Sequence, residues 1–298
     1  MNIVELKNVN KSFKDHHVLK DLNLNIKEHS VFGFIGKNGA GKTTTMKSIL
    51  GLLKIDFGEI YVNGELVVFG QNKTNKYIGY LPDVPEFYGY MKAKEYLVFC
   101  AECLNLNKEE AKLEVEELLN LVGLKDVKQY IKNYSRGMKQ RLGIAQALLG
   151  KPKLLICDEP TSALDPIGRK EILDILSSVK DRTTVIFSTH ILTDVERICT
   201  DIALIDEGRI IVNGSIDELK KLNYQETYLV EVNSKNEVEL IIKSFSNINV
   251  ISEYSLLVNN KETNINDMMS FIVNNKINIK KIEMMEYSLE SLFMEATK

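Results

Sequence analysis

The chain has 298 residues, a formal net charge of −3, and 44% hydrophobic and 27% charged residues. This length exceeds one typical domain and predicts a large domain with a second, smaller one. The proportions of apolar and charged residues are those of an ordinary globular protein. A general nucleic-acid binder is usually distinctly basic, so the net charge disfavours that class and we expect no nucleic acid among the partners.

The sequence lacks the features of a chain that enters or crosses a membrane by itself. Residues 1–7 do not have the charged-then-apolar layout of a signal peptide. No apolar stretch approaches the roughly 20 residues that are needed to cross a bilayer. We therefore expect a cytoplasmic protein, whose role at a membrane would come through a partner.

The first segments read as strands. Apolar and polar residues alternate over Ile3–Val9 and again over Leu22–Ile26, which predicts two half-buried strands. The connection between them contains Phe13, whose ring is either a core residue or a surface that stacks on a base, and the residue alone favours neither. The apolar run Ser30–Ile35 is typical of a buried strand.

A glycine-rich loop, GKNGAGKTT, follows this strand. It fits G-x-x-x-x-G-K-[ST], and the next residues read as the helix that must follow a phosphate-binding loop. Glycines let the backbone wrap around a polyphosphate, while inward N–H groups and the helix start attract its negative charge. The lysine reaches the β- and γ-phosphates, and the threonine hydroxyl can bind Mg²⁺. The predicted triphosphate-binding residues are Gly36, Asn38, Gly39, Ala40, Gly41, Lys42, Thr43 and Thr44.

The pattern changes twice after the loop. Two further strands, at Gly58–Gly64 and Tyr77–Leu81, precede a region of helical periodicity from about residue 84 to residue 150. From residue 153 onward, strand patterns alternate with helical ones, which is typical of a parallel sheet with helices on its faces. We therefore predict an α/β domain over residues 1–222, with an antiparallel β subdomain and a helical insertion.

Residues 223–298 form a second predicted domain, in which the composition shifts toward Asn, Lys, Glu and Ile. Several segments keep an apolar periodicity, and their order predicts a β-α-β-α-β unit, a shortened form of the ferredoxin-like α+β order. A helix is expected near Leu289–Ala296. A disordered polar tail is the alternative, which the regular apolar residues disfavour. The periodic segments are Tyr228–Val232, Val238–Phe245, Val250–Val258, Ile265–Val273 and Ile277–Met284.

Two adjacent acidic residues, Asp158 and Glu159, end the apolar strand pattern of residues 153–157. Asp158 is therefore expected at the carboxyl end of a buried strand, where open α/β sheets place ligand-binding groups. Beside the Thr43 hydroxyl, its carboxylate can hold Mg²⁺ directly or through water. Glu159 is placed to orient an attacking water or to accept its proton. The pair predicts hydrolysis of the bound triphosphate.

Further segments carry a family resemblance. Tyr134–Arg141, with the sequence YSRGMKQR, resembles the signature motif of ABC ATPases. Ser162–Asp165 is similar to the D-loop of that family, and Ser188–His190 to its switch-histidine segment. Phe13 matches the aromatic residue that stacks on adenine. From Ile3 to about Leu222, every motif stands in the order of the family.

Three sequence segments are more specific than the family motifs. The segments YSRGMKQRLGIAQALL and IGYLPDVPEFYGYM, together with SLESLF at Ser288–Phe293, resemble the bacitracin-resistance type of bacterial exporter ATPase. The resemblance implies a subunit that hydrolyses Mg-ATP and powers export. Relatives are associated with antimicrobial or amphipathic peptides, ions and lipids, and the sequence does not distinguish between these cargoes. The partners of the subunit would be a second nucleotide-binding chain and a separately encoded membrane chain, docked at Pro82–Leu104. The chain would then lie at the cytoplasmic face of the cell membrane.

The resemblance also implies roles for single residues. Ser135 and Gly137 would reach the γ-phosphate bound to the opposite subunit, so that two chains close head-to-tail over two ATP molecules. Asp165 would belong to the same ATP site. His190 would contact the γ-phosphate and help to position water, with Glu159 as the water-activating residue.

The sequence departs from the family pattern at a few positions. Asp83 stands where most members have a glutamine, in the loop that joins the core to the helical region. Asp83 either binds Mg²⁺ or caps a turn. Arg136 stands where a glycine is commoner, and Met138 where a glutamine is, but neither change removes Ser135 or Gly137.

An ABC ATPase that acts on ribosomes or DNA is the alternative function. Ribosome-acting relatives carry two such domains, whereas this sequence has a single phosphate loop. DNA-repair relatives insert a long coiled coil, and no sustained heptad run occurs here. A kinase with a phosphate loop would leave the signature motif and His190 unexplained.

Overall fold

The structure, a computed structural model, describes residues 1–71, 73–222, 227–285 and 289–296. Two predictions fall partly outside these residues: the domain boundary at residues 222/223 and the start of the SLESLF segment at Ser288. By its internal contacts the chain divides into two compact units, residues 1–216 and 217–296.

The first unit contains two sheets. Its strands are, in chain order, β1 (Asn2–Phe13), β2 (His16–Lys27), β3 (Val31–Ile35), β4 (Phe57–Val62), β5 (Glu65–Leu66), β6 (Ile78–Leu81), β7 (Leu154–Cys157), β8 (Thr184–Thr189), β9 (Asp201–Asp206) and β10 (Arg209–Ser215). Strands β2-β1-β4-β5 form an antiparallel sheet in that spatial order. The others form a second sheet in the order β10-β9-β3-β8-β7-β6, in which all neighbours are parallel except β9 and β10.

The parallel arrangement determines where the functional segments meet. Strands β3, β7 and β8 are buried at every position, as expected of strands covered on both faces. They are neighbours in the order β3-β8-β7, so their carboxyl ends lie along one edge of the sheet. That edge carries the phosphate loop, Asp158 and His190.

Helices flank this sheet and form the insertion between β6 and β7. They are α1 (Lys42–Ile49), α2 (Ala93–Cys103), α3 (Lys108–Leu121), α4 (Arg136–Leu148), α5 (Pro166–Ser178) and α6 (Leu192–Ile198). Helix α4 packs closely on β6. A Cβ at Gly79 would lie only 1.8 Å from the carbonyl oxygen of Ala147, so a side chain there would collide with the helix. Glycine at that position therefore lets the insertion approach the sheet.

The second unit is a four-stranded antiparallel sheet with its own hydrophobic core. After α7 (Ile216–Leu222) its elements are β11 (Thr227–Val232), α8 (Lys235–Ser244), β12 (Ile248–Ser252), β13 (Ser255–Asn259), α9 (Ile265–Asn274), β14 (Ile279–Met285) and α10 (Leu289–Ala296). The spatial order is β12-β13-β11-β14. Buried residues of the sheet, such as Val230 and Val258, pack with Ile241 of α8 and Met268 of α9.

The prediction of a single strand over Val250–Val258 is wrong, because the segment is a hairpin of β12 and β13. The Ser252 hydroxyl accepts a hydrogen bond from the amide of Tyr254 at 3.2 Å, so a serine makes the turn without glycine or proline. The unit therefore has the full ferredoxin-like order β-α-β-β-α-β and not the shortened one. The predicted C-terminal helix is present, and the disordered tail is excluded for the described residues.

The predicted fold class is confirmed. The first unit combines an α/β sheet with an antiparallel β subdomain and a helical insertion, and the second unit is α+β. Within the part of the chain that the structure describes, no helix has the length and apolar character to span a membrane.

Candidate functional site

Glycines shape the phosphate loop between β3 and α1. Gly39 and Gly41 have φ values of 85° and 114°, which residues with a side chain rarely adopt. A Cβ on Gly36 would lie 2.5 Å from the carbonyl oxygen of Ile205 in the neighbouring strand β9. Helix α1 begins at Lys42, and its first N–H groups have no partner within the helix, so they are available to an anion.

The Lys42 ammonium group is held inside this loop. Its side chain is 6% exposed, and Nζ donates to the carbonyl oxygens of Gly36 at 2.7 Å and Lys37 at 3.3 Å. Nζ also lies 3.2 Å from Oε1 of Glu159. A positive charge fixed in this way is placed to neutralise phosphate oxygens that bind to the loop.

Hydrogen bonds to Asp158 join the three strand ends. The Thr43 hydroxyl donates to Oδ2 of Asp158 at 2.8 Å, and the Ser188 hydroxyl donates to Oδ1 at 2.6 Å. The amide of Glu159 donates to the Ser188 oxygen at 2.9 Å. Ser188 lies beside Asp158 because the parallel register pairs Cys157 with Phe187.

Ser188 is a functional residue to which the sequence analysis gave no role. Its side chain is fully buried and touches both acidic residues of the site. The signal in the sequence was its position directly before Thr189 and His190 at the end of a strand. The partner of its hydroxyl depends on the register of β7 and β8, which the sequence does not show.

Glu159 and His190 are brought together at the same edge. Oε2 of Glu159 lies 3.1 Å from Nδ1 of His190, whose side chain is half exposed. Glu159 has a φ of 47°, a left-handed conformation that costs a non-glycine residue roughly 1–3 kcal/mol. Such strain persists only where the surroundings fix the residue. Here the hydrogen bond from the Glu159 amide to the Ser188 hydroxyl fixes it.

A cavity of about 280 Å³ collects most of the predicted residues. Its lining places the proposed phosphate, metal and water-handling groups around one space. It is lined by Asn38, Gly39, Gly41, Lys42, Thr43, Thr44, Asp83, Asp158 and Glu159. Gly36 contributes its carbonyl oxygen to Lys42, and Ala40 lines the next cavity.

That second cavity, of about 590 Å³, adjoins the phosphate loop and includes residues that the sequence analysis missed. His16, His17 and Lys20 come from the start of β2, and Asp206 from the end of β9. These segments are far apart in the chain and meet because the amide of Lys20 donates to the carbonyl of Gly208 at 2.8 Å. The full lining is His16, His17, Val18, Lys20, Lys37, Asn38, Gly39, Ala40, Asp206, Glu207 and Gly208.

Phe13 is not part of the lining of either cavity. It ends β1, its side chain is half exposed, and Nζ of Lys11 lies 5.3 Å from the centre of its ring. Stacking of Phe13 on adenine therefore stays a prediction.

Ser135, Gly137 and Asp165 do not line the two cavities either. Ser135 is exposed and caps α4, accepting from the amide of Met138 at 3.2 Å. Asp165 is exposed and caps α5 in the same manner. A Cβ on Gly137 would meet only the side chain of Leu164, at 3.9 Å. None of the residues that the structure describes therefore requires glycine at residue 137.

Two of the three departures from the family pattern, Asp83 and Arg136, contact each other. Oδ1 of Asp83 lies 3.5 Å from Nη2 of Arg136, and both side chains are half exposed. The carbonyl oxygen of Asp83 accepts from Nε2 of Gln140 at 2.6 Å. Asp83 is thus tied to the first turns of α4 while its side chain lines the phosphate cavity.

The electrostatics of the cavity favour a bound cation. Burial, with the Asp158 carboxylate as a further cause, raises the pKa of Tyr80 to about 12, so this phenol stays neutral. The lining contains three acidic side chains, Asp83, Asp158 and Glu159, and one basic side chain, Lys42. Mg²⁺ is usually bound by one or two carboxylates together with substrate phosphates, and the paired oxygens of Thr43 and Asp158 fit it.

Comparison with known proteins agrees with this geometry. The profile of the ABC transporter family matches residues 19–162, and that of the DrrA1-3-like ATP-binding protein C-terminal domain matches residues 214–297. The bacitracin transport ATP-binding protein BcrA of Bacillus licheniformis is 36% identical over 305 residues, which cover 98% of this chain and 96% of that protein. The chain belongs to the ABC transporter ATP-binding proteins.

Solved structures of this family resemble the first unit. The cbiO1 protein of Clostridium perfringens, part of the ABC transporter complex cbiONQ, is 30% identical with a TM-score of 0.68, covering 73% of this chain and 90% of that one. A dimeric ATP-binding cassette with bound ADP and phosphate is 26% identical with a TM-score of 0.63, covering 72% and 98%.

The predicted family and activity are confirmed: this ABC protein is an ATPase whose hydrolysis is coupled to transport. Nothing in the comparisons favours the ribosome or DNA alternative.

The Ser188→Ala substitution tests whether this hydroxyl organises the site. It removes one partner from the buried Asp158 carboxylate and one from the Glu159 amide, each worth roughly 1–3 kcal/mol when left unpaired. We expect kcat for ATP hydrolysis to fall about 10- to 100-fold. Ser178→Ala is the control, because that hydroxyl bonds only within its own helix. An unchanged kcat in Ser188→Ala would show that the hydroxyl does not hold the two acidic residues.

Proposed function

We propose that this chain is the ATP-hydrolysing subunit of a bacterial exporter, with residues 1–222 as the nucleotide-binding domain and 223–298 as an accessory domain. The single observation that carries the proposal is the division of the predicted residues. Most phosphate-loop residues, the proposed metal residues and Glu159 line one cavity, and His190 contacts Glu159 from outside its lining, whereas Ser135, Gly137 and Asp165 neither line it nor contact Glu159. A relative matched over nearly its full length is named for bacitracin transport, which supports export.

Within the cavity the chain's own groups divide the work. The loop amides and Lys42 bind and neutralise the phosphates. Glu159 accepts a proton from the attacking water, and His190, 3.1 Å from Glu159, orients the same carboxylate and contacts the γ-phosphate. The Ser188 hydroxyl donates to Asp158 and accepts from the amide of Glu159, and these buried hydrogen bonds keep Glu159 in its strained conformation. The base is therefore fixed before the substrate arrives.

Thr43 and Asp158 are the proposed Mg²⁺ residues, with Asp83 as a third contact. When bound, the ion would offset negative charge on the phosphates. Asp83 lines the cavity from the loop after β6, and among the described residues its carboxylate has an ion pair with Arg136 at 3.5 Å. A cation at Thr43 and Asp158 would therefore attract Asp83 as well.

The outward-facing residues support a dimer of nucleotide-binding chains. Ser135 and the adjacent N–H groups form the exposed start of α4, a helix of 13 residues that attracts negative charge. Gly137 has room for a side chain in its own chain, so the absence of one is explained if a second chain's phosphate approaches there. One structural neighbour is a cassette dimer, which is consistent with this arrangement.

The proposed dock for a separately encoded membrane chain is the region Pro82–Leu104. A groove of about 510 Å³ lies there between the loop after β6 and the start of α4. Its surroundings expose apolar side chains, and clustered exposed apolar groups mark interaction sites. They include Val84, Tyr88, Tyr90 and Phe99.

Docking there would place the chain at the cytoplasmic face of the membrane. Asp83 lines both this groove and the phosphate cavity, so it links the nucleotide to the membrane partner. The cargo proposed for the assembly is an antimicrobial or amphipathic peptide.

The test of the proposed function is Glu159→Gln. The amide cannot accept the proton, so we expect ATP to bind normally while turnover falls roughly 10²- to 10⁴-fold. Unhydrolysed ATP would then trap the closed dimer, which size-exclusion chromatography in ATP would detect. Glu110→Gln, on the exposed face of α3, is the control and should behave as the unmodified chain. Normal hydrolysis by Glu159→Gln, or a monomer saturated with ATP, would contradict the proposal.

A second prediction concerns Asp83. Asp83→Asn removes one carboxylate charge from the proposed Mg²⁺ site, so more Mg²⁺ should be needed for half-maximal ATPase activity. Because supporting contacts of metal sites typically change affinity 10- to 100-fold, we expect an increase of roughly tenfold. Nucleotide affinity without Mg²⁺ should change little.

The control is Asp126→Asn, in an exposed turn after α3. Both variants are titrated with Mg²⁺, by ATPase rate and by binding of a fluorescent ATP analogue. Superimposable curves for Asp83→Asn and the unmodified chain would remove Asp83 from the metal site.

A further inference from the structure

Asp194 is a buried carboxylate that does not line the phosphate cavity. It lies in the first turn of α6, the helix that follows His190, and its side chain is 4% exposed. Oδ2 accepts a hydrogen bond from the Thr161 hydroxyl at 2.8 Å, and Oδ1 accepts one from Nη2 of Arg169 at 2.6 Å. A buried carboxylate is stable only with partners of this kind, so the three side chains form one unit.

These partners lie at both ends of the segment that links Glu159 to α5. Thr161 is fully buried directly before the loop Ser162–Asp165. Arg169 lies in the first turn of α5, and its amide donates to the carbonyl of Asp165 at 2.9 Å. Asp194 therefore joins the beginning and the end of this loop to the helix after His190.

The segment needs such a contact because its backbone is strained. Glu159 and Ala163 have φ values of 47° and 52°, both in the left-handed region. Residues persist in these conformations only where the surrounding structure fixes them. Ser188 fixes the Glu159 end through its hydrogen bond to the amide. The Asp194 unit is the buried contact on the Asp165 side.

We propose that Asp194 is a positioning residue that makes Glu159, Asp165 and His190 move as one body. The inference rests on the proposed function, in which Asp165 faces a second chain. A displacement of the exposed loop by that chain would pass through Thr161, Arg169 and Asp194 to α6 and so to His190. Asp194 lines neither of the two cavities at the phosphate loop, so it acts through the placement of these groups.

The first test compares Asp194→Asn with Asp174→Asn. Asp174 is a matched control, since its carboxylate also joins α5 to α6, through Nη2 of Arg197 at 3.0 Å, but at the exposed surface. For Asp194→Asn we expect kcat to fall roughly 10- to 100-fold, because small displacements of catalytic groups have effects of that size. ATP affinity, measured by equilibrium binding, should stay within about twofold, which separates placement from substrate binding. Asp174→Asn should change neither quantity.

A double variant distinguishes positioning from a general loss of structure. If Asp194 acts through His190, then Asp194→Asn in a His190→Ala background should lower kcat by less than about twofold, because effects of residues in one unit do not multiply. Multiplying effects would overturn the proposal, as would an unchanged kcat in Asp194→Asn.

Thr161→Val decides the question if Asp194→Asn does not fold. Valine has nearly the same side-chain shape as threonine, and the substitution leaves the Asp194–Arg169 pair intact. The same separation of kcat from ATP affinity is expected, and unchanged kcat would overturn the proposal. Hydrolysis by the unmodified chain is measured first, so a failure of the proposed function is seen separately from a failure of the role of Asp194.

Discussion

Two hydrogen bonds to one buried carboxylate hold the catalytic edge of this protein together. Asp158 is 4% exposed and accepts from Thr43, after β3, and from Ser188, at the end of β8. Its own strand, β7, neighbours β8, so three strand ends converge on a single side chain. Removing either donor would leave part of a buried charge unpaired, which is among the costlier changes in a protein interior. The position of Glu159 follows from the same bonds, because its amide completes the contact with Ser188.

The same constraint separates two sets of predicted residues. The groups that bind phosphate and activate water are pre-organised by buried bonds, and they need no partner for their placement. The exposed residues Ser135 and Asp165 cap helix starts and do not line the phosphate cavity. The Asp194 unit connects these two sets of residues, since it holds the loop of Asp165 to the helix that follows His190. In the proposed dimer, this unit would couple contact with a second chain to hydrolysis in the first.

The sequence predicted those features that depend on local order. The phosphate loop is recognisable because its glycines, lysine and threonine act within a single turn between a strand and a helix. Asp158 was predictable because it ends an apolar strand. The hairpin of β12 and β13 was missed because a serine hydroxyl makes its turn and no glycine or proline marks it.

Features that depend on contacts between distant segments were not predictable. The role of Ser188 follows from strand register, and the cavity at His16 and His17 from packing between β2 and the end of β9. Asp83 and Arg136 were each seen as departures from a pattern, but their pairing follows from the packing of the insertion.

We propose that a second copy of the chain completes the ATP site, and this can be tested by mixing two inactive variants. Lys42→Ala removes the phosphate-binding charge, and Ser135→Arg blocks the exposed helix start, so each chain alone should be nearly inactive. In an equal mixture half of the dimers pair the two variants, and each such dimer has one complete site. If the sites act independently, we expect the mixture to recover about one quarter of the unmodified ATPase rate. A mixture that stays inactive while differently tagged chains co-purify as dimers would contradict it.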